Sequence, residues 1–315
     1  MLEQIHQHLL PRRGVWADPD EILVTVGAQQ ALYMIAKLLL SKDKLLGLED
    51  PGYVDMRNIA KLNPVGIRPL AVDDKGLVIS KRIDDCDAVY VTPSHQSPTT
   101  VTMPLERREA LLARAAQSNF FIIEDDYESE MAYAAAPTPA LKSLDRDDRV
   151  LYVGSLSKTL APGLRVGYVV GPKEIVRELR ALRRLILRHP AANNQRSVAL
   201  FLARGYYESL TRNLRNAYQR RSTVMRTALD RYLPDSSRVP GFGGSSYWVR
   251  GKASLDARIL AQRAAEQGIL IEPGDIHFLD ESAPRNFFRL GFSSIPSERI
   301  EPGIERLAAI IDTLA

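Results

Sequence analysis

The chain has 315 residues, more than one hydrophobic core usually spans, so two sub-domains are the starting expectation. Its 45% hydrophobic and 25% charged residues exclude a disordered chain. A formal charge of +4, from 42 Lys+Arg against 38 Asp+Glu, is small and scattered, which argues against nucleic-acid binding by this chain itself.

The densest basic stretch, Arg180 to Arg188, alternates arginine with apolar residues as a solvated helix face does. The single cysteine, Cys86, excludes an intramolecular disulfide and favours a cytoplasmic address. Met1 to Arg13 lacks the apolar stretch of a signal peptide, and no apolar run approaches the ~20 residues of a membrane span.

In chain order, strands are predicted at 22–26, 44–47, 66–70, 88–92, 120–124, 150–153 and 166–170. Amphipathic helices at 29–40, 54–62 and 105–117 separate several of them. This alternation predicts a mostly parallel, seven-stranded α/β sheet covered on both faces, mixed where the last two strands follow each other directly. A charged helix over 206–232 then leads to strands at 241–249, 269–272 and 287–292 and helices at 255–267 and 296–314. The expected division is a large domain over 1–205, a connecting helix over 206–233 and a small α/β domain over 234–315.

Ligands of an open parallel sheet bind beyond the carboxyl ends of its strands, so the residues that follow each strand carry the chemistry. After the first comes Gly27-Ala28-Gln29-Gln30, a helix start whose free N–H groups suit an anion. The second is followed by Pro51-Gly52-Tyr53, which can turn an aromatic ring into the cleft. Thr92 to Thr99, including Ser97, follows the fourth, and Asp125-Asp126-Tyr127 the fifth. The sixth leads into Ser155-Leu156-Ser157-Lys158-Thr159, with Arg165 close behind. Each cluster alone has an ordinary reading: a turn, a helix cap, a surface lysine. In a parallel sheet all five meet on one rim.

Two motifs fall away. Ser157, not glycine, precedes Lys158, so the phosphate-loop pattern fails. Ser155-x-x-Lys158 lacks the Ser-Asp-Asn and Lys-Thr-Gly partners of penicillin-binding enzymes. The five histidines are scattered, and no metal-ligand set is expected.

Together these segments resemble fold-type I aminotransferases that use pyridoxal 5′-phosphate. They are most similar to the aminotransferase-like domain of the MocR/GabR group of bacterial regulators, and the resemblance runs over nearly the whole chain. It implies the aspartate aminotransferase-like fold and a homodimer with its active sites at the subunit interface. Lys158 would hold the cofactor as a covalent imine and shuttle a proton, Asp125 would pair with the pyridine nitrogen, and Tyr127 would bond the phenolic oxygen. Tyr53 would stack on the ring. Gly27, Ala28, Gln29, Ser155, Ser157 and Arg165 would form the phosphate site. Arg289 would clamp a substrate carboxylate, its competing reading being a structural ion pair.

The sequence departs from those relatives in three ways. Ser97 stands where they carry asparagine, tyrosine or phenylalanine, and Thr100 where they carry glycine, although threonine does not take positive φ cheaply. The relatives also have an upstream segment, and the regulators a winged helix-turn-helix domain, before the point where this sequence starts. The expected activity is amino-group transfer between an amino acid and a 2-oxo acid. The alternative is an effector-sensing domain of a MocR/GabR-type regulator with little turnover. Lyase, racemase or decarboxylase chemistry is a third reading, since the cofactor sets the reaction menu.

Overall fold

The structure, a computed structural model, describes residues 1–133, 138–238, 243–280 and 282–314. Strands β1 (Ile22–Thr25), β2 (Leu45–Asp50), β3 (Gly66–Asp73), β4 (Gly76–Leu77), β5 (Ala88–Val91), β6 (Phe121–Asp126), β7 (Val150–Ser155) and β8 (Gly167–Val170) form one sheet. Their order is β1-β8-β7-β6-β5-β2-β3-β4. Pairing from β7 across to β3 is parallel. β8 is antiparallel to both β7 and β1, so β1 points the same way as β7.

The seven predicted strands are all present, and β4 is an eighth that the pattern did not show. β3 runs on past Leu70 to Asp73, whose carboxylate accepts the Lys75 amide, and the chain folds back through Gly76 at φ +87°. A two-residue return is too short to leave a periodic signal.

Side chains alternate across the sheet and are buried on both faces, as parallel strands require. Ala88, Tyr90, Ile123, Leu151 and Val153 pack beneath the helices Gly27–Leu39, Val54–Lys61 and Lys173–Leu187. Val89, Val91, Ile122 and Val150 face the opposite way, onto Leu111 and Ala115 of the helix Leu105–Ser118. The first residues also contribute: Ile5, Leu9, Leu10 and Val15 are buried against Tyr152, Tyr168 and Tyr207.

The helix Tyr206–Tyr232 ends on a second core, where Met225, Ala228 and Leu229 meet Val249, Phe288 and Leu290. There β9 (Ser237–Arg238), β10 (Ser246–Arg250), β11 (Glu272–Pro273) and β12 (Phe287–Gly291) form an antiparallel sheet in the order β11-β12-β10-β9. The helices Ala257–Glu266 and Ser297–Leu314 cover it. Two boundaries differ from expectation. Residues 241 and 242 of the predicted 241–249 strand lie outside the described residues, and the strand starts at Ser246. The predicted 269–272 strand shrinks to Glu272–Pro273, because proline donates no ladder bond and confines β11 to a short edge. No helix among the described residues is long and apolar enough to cross a membrane.

Candidate active site

β1, β2, β5, β6 and β7 share one direction, so the polar residues that follow them gather on one edge. There they border an open cavity of about 880 Å³ that residues of the second sheet also line. Ala28, Gln29, Tyr53, Ser97, Asp125, Tyr127, Ser155, Ser157, Lys158, Arg165 and Arg289 all line it. Gly27, also expected at the site, stands behind Arg165 instead of in the wall.

One end of the cavity is built for an anion. The helix Gly27–Leu39 starts without a side-chain cap, which leaves its first N–H groups available. Arg165 adopts a left-handed φ of +49° after the turn Pro162–Leu164. Its guanidinium donates to Ser157 Oγ at 3.4 Å and to the Val26 carbonyl at 3.3 Å. That path crosses Gly27, where φ is +74° and an added Cβ would lie 2.7 Å from Arg165 Nη2. The positive φ favours glycine there, and any side chain would also make the guanidinium shift.

The acid at the end of β6 is poised differently. Asp125 is buried; its Oδ2 accepts the Tyr90 hydroxyl at 2.8 Å, while Oδ1 is buried with no partner. Burial pushes its carboxyl up to about 7, against the lowering effect of the Tyr90 bond. An N–H⁺ group placed against Oδ1 would satisfy that atom and restore the carboxylate. Tyr53 stacks over Tyr90, with centroids 6.4 Å apart, and its hydroxyl donates to Gln29 Oε1 and Asp55 Oδ2, each at 3.2 Å. The neighbouring Asp126 serves the fold: it is buried in an ion pair with Arg13 at 2.7 Å and accepts the Tyr152 hydroxyl.

Lys158 Nζ lies 4.3 Å from the Tyr127 ring centroid and 2.9 Å from Glu128 Oε1. The same Glu128 oxygen accepts the Ser245 hydroxyl at 2.5 Å. Burial alone would push the Glu128 carboxyl up; Lys158, then His95 and Ser245, outweigh it and hold it below its ordinary value. Burial, then the charge of Glu128, raises the Tyr127 phenol well above its usual range, and the charge of Arg289, then the Ser97 hydroxyl, opposes them.

On the facing wall Arg289 is in an ion pair, Nη1 donating to Glu272 Oε2 at 3.1 Å and Nε to Ser246 Oγ at 2.9 Å. Arg289 thus makes the structural ion pair of the competing reading while it also lines the cavity.

Sequence reasoning missed Tyr90, Glu128, Glu272 and His277. Glu128 directly follows Tyr127, but its partners lie 30 and 117 residues away and leave no local signal. Thr100 does occupy the left-handed region, at φ +64°, held by its amide on the Gln96 carbonyl at 2.6 Å. A β-branched residue there carries strain of about 1–2 kcal/mol.

Comparison with known proteins agrees with this geometry. A family model described as aminotransferase class I and II matches residues 2–307. The chain is 43% identical over 308 residues to the HTH-type transcriptional regulator TauR of Rhodobacter capsulatus, covering 98% of this chain and 64% of the regulator. It thus spans less than two thirds of that relative's length. A solved structure of Pyrococcus horikoshii kynurenine aminotransferase matches with a TM-score of 0.93 at 28% identity, covering 99% of this chain and 79% of that one. Thermus thermophilus LysN, an α-aminoadipate aminotransferase solved with N-(5′-phosphopyridoxyl)-L-leucine, matches with a TM-score of 0.89 at 28% identity, covering 98% and 82%. Pyridoxal 5′-phosphate is the cofactor these comparisons indicate. The cavity fits it on two observations: the glycine cradle under Arg165 suits a phosphate, and the unpartnered Asp125 oxygen suits a protonated ring nitrogen. The match extends from the first turns to the last helix, and the chain belongs to the aminotransferase class I and II family.

Proposed function

We propose that this chain acts as a pyridoxal-phosphate-dependent aminotransferase, taking the amino group of an amino compound and passing it to a 2-oxo acid. The observation that carries the reading is the placement of Lys158, Asp125, Tyr127 and Arg165 around one cavity. When bound, the cofactor supplies an electrophilic carbonyl carbon and a ring that accepts negative charge from the substrate carbon. The protein's side chains do the rest. Arg165, Ser155, Ser157 and the amides at the start of the Gly27–Leu39 helix bind the phosphate. Tyr53 covers one face of the ring. Asp125, fixed through Oδ2 by Tyr90, keeps a proton on the ring nitrogen. Lys158 would hold the cofactor and serve to move a proton at the substrate carbon, with Glu128 orienting its Nζ. Arg289, paired with Glu272, stands at the wall where an acid group of the ligand would approach. The two separate cores support a division into 1–205, the helix 206–233 and 234–315, and by family resemblance two copies would assemble in the cytoplasm.

A second reading is favoured by the 43% identity to a transcriptional regulator. In it the same residues capture an amino effector and turn it over little. One experiment separates the two. Amino compounds are added singly to the holoprotein while the visible absorption band and the carbonyl product released (aldehyde or oxo acid) are measured together. A shifted band with one carbonyl product per site supports transfer; a shifted band without release supports sensing. No shift with any amino compound would sink both.

A further inference from the structure

Arg289 and Glu272 stand directly opposite each other on β12 and β11. A guanidinium can hold a carboxylate through two N–H groups on its side-on edge, Nε with Nη2, or its end-on edge, Nη1 with Nη2. Ser246 occupies Nε and Glu272 occupies Nη1, so each edge has one nitrogen already engaged. Glu272 is also anchored from behind, since its Oε1 lies 2.6 Å from His277 Nε2. The buried His277 in turn places Nδ1 3.2 Å from the Gly52 carbonyl, and the Gly52 amide donates to the His277 carbonyl at 2.9 Å. Glu272 is therefore tied through His277 to the turn that carries Tyr53.

The remaining charges of the cavity offer no substitute. Among the described lining residues the other basic groups are Lys158, paired with Glu128, Arg165, at the phosphate end, and His277, already bonded to Glu272. An incoming carboxylate thus meets an arginine of which Ser246 and Glu272 already engage two nitrogens.

We propose that Glu272 is a specificity-determining residue that masks Arg289. The site then favours amines with no carboxylate on the carbon bearing the amino group, or with their acid group further away, over α-amino acids. This rests on the proposed function, and it names the substrate class of that same site.

The test uses holoprotein reduced with borohydride, in which the cofactor is fixed and ligands bind without exchanging nitrogen. Propanoate and its neutral counterpart propanamide are titrated by calorimetry into wild type, Glu272→Gln, Glu272→Ala and the double variant Glu272→Gln/Arg289→Gln. Both single variants are expected to bind propanoate roughly tenfold more tightly than wild type, the equivalent of one charged hydrogen bond, with propanamide unchanged. The double variant is expected to lose that gain. Equal or weaker propanoate binding in the two folded single variants, or no binding in any protein, overturns the mask. Failure of the underlying reading shows separately, as absence of reduced cofactor on Lys158 by mass, and the propanoate comparison still decides the role of Glu272.

Discussion

Replacing Gly27 by alanine adds one methyl group and perturbs two things that can be measured apart. Residue 27 has φ +74°, a left-handed conformation that costs an L-residue about 1–2 kcal/mol. That loss belongs to the fold and should appear in urea denaturation of the cofactor-free protein. The new Cβ would also sit 2.7 Å from Arg165 Nη2 and 2.9 Å from its Cζ, so the guanidinium must shift. If Arg165 is the charge partner of the phosphate, displacing it forfeits a charge-assisted contact of about 1.5–3 kcal/mol. The dissociation constant for pyridoxal phosphate, followed by absorbance titration, should then rise roughly 10- to 100-fold. Arg165→Ala should match that loss of affinity without the full loss of stability. Wild-type affinity in Gly27→Ala, alongside lowered stability, would refute the phosphate assignment.

Three further outcomes follow from buried groups. Asp125→Asn replaces the proposed charged partner of the ring nitrogen by an amide; cofactor affinity should fall about tenfold, and proton removal from a bound amine, read by deuterium exchange, should slow far more. Glu49 is buried, and burial, only partly offset by bonds from Thr92 and Gln96, raises its carboxyl to about 7. The folded state thus keeps a proton that the unfolded chain gives up near pH 4.3, so this stabilising term is full below that value and is lost as pH rises through about 7. Glu49→Gln should therefore stabilise the protein above pH 7, by up to about 3 kcal/mol, and change little at pH 4. Arg13→Met leaves Asp126 buried without its cation and should cost about 3–5 kcal/mol in urea denaturation; a cost below 1 kcal/mol would mean the pair is not what holds Asp126.

Much of the fold was legible because β-branched runs at 88–92, 120–124 and 150–153 are buried on both faces and bounded by helical periodicity. The rim of the site was legible for the same reason: strands in one direction bring Gly27, Asp125 and Lys158 together although 131 residues separate the first from the last. The contacts that tune these residues were not. Tyr90 reads as another apolar member of β5, and only the parallel register puts its hydroxyl on Asp125. Glu272 and Arg289 lie 17 residues apart on strands whose pairing is set by the small core, not by local pattern. Arg13 falls in a stretch that reads as polar surface, yet its guanidinium is buried, because Asp126 compensates its charge inside.

The proposed function requires Lys158 to carry the cofactor. Borohydride reduction of the holoprotein, followed by proteolysis and mass spectrometry, tests it most directly. The expected result is the reduced phosphopyridoxyl mass on the peptide containing Lys158, and neither that mass nor the visible absorption band of lysine-bound cofactor in Lys158→Ala. The label on a different lysine, or an undiminished band in Lys158→Ala, would contradict it.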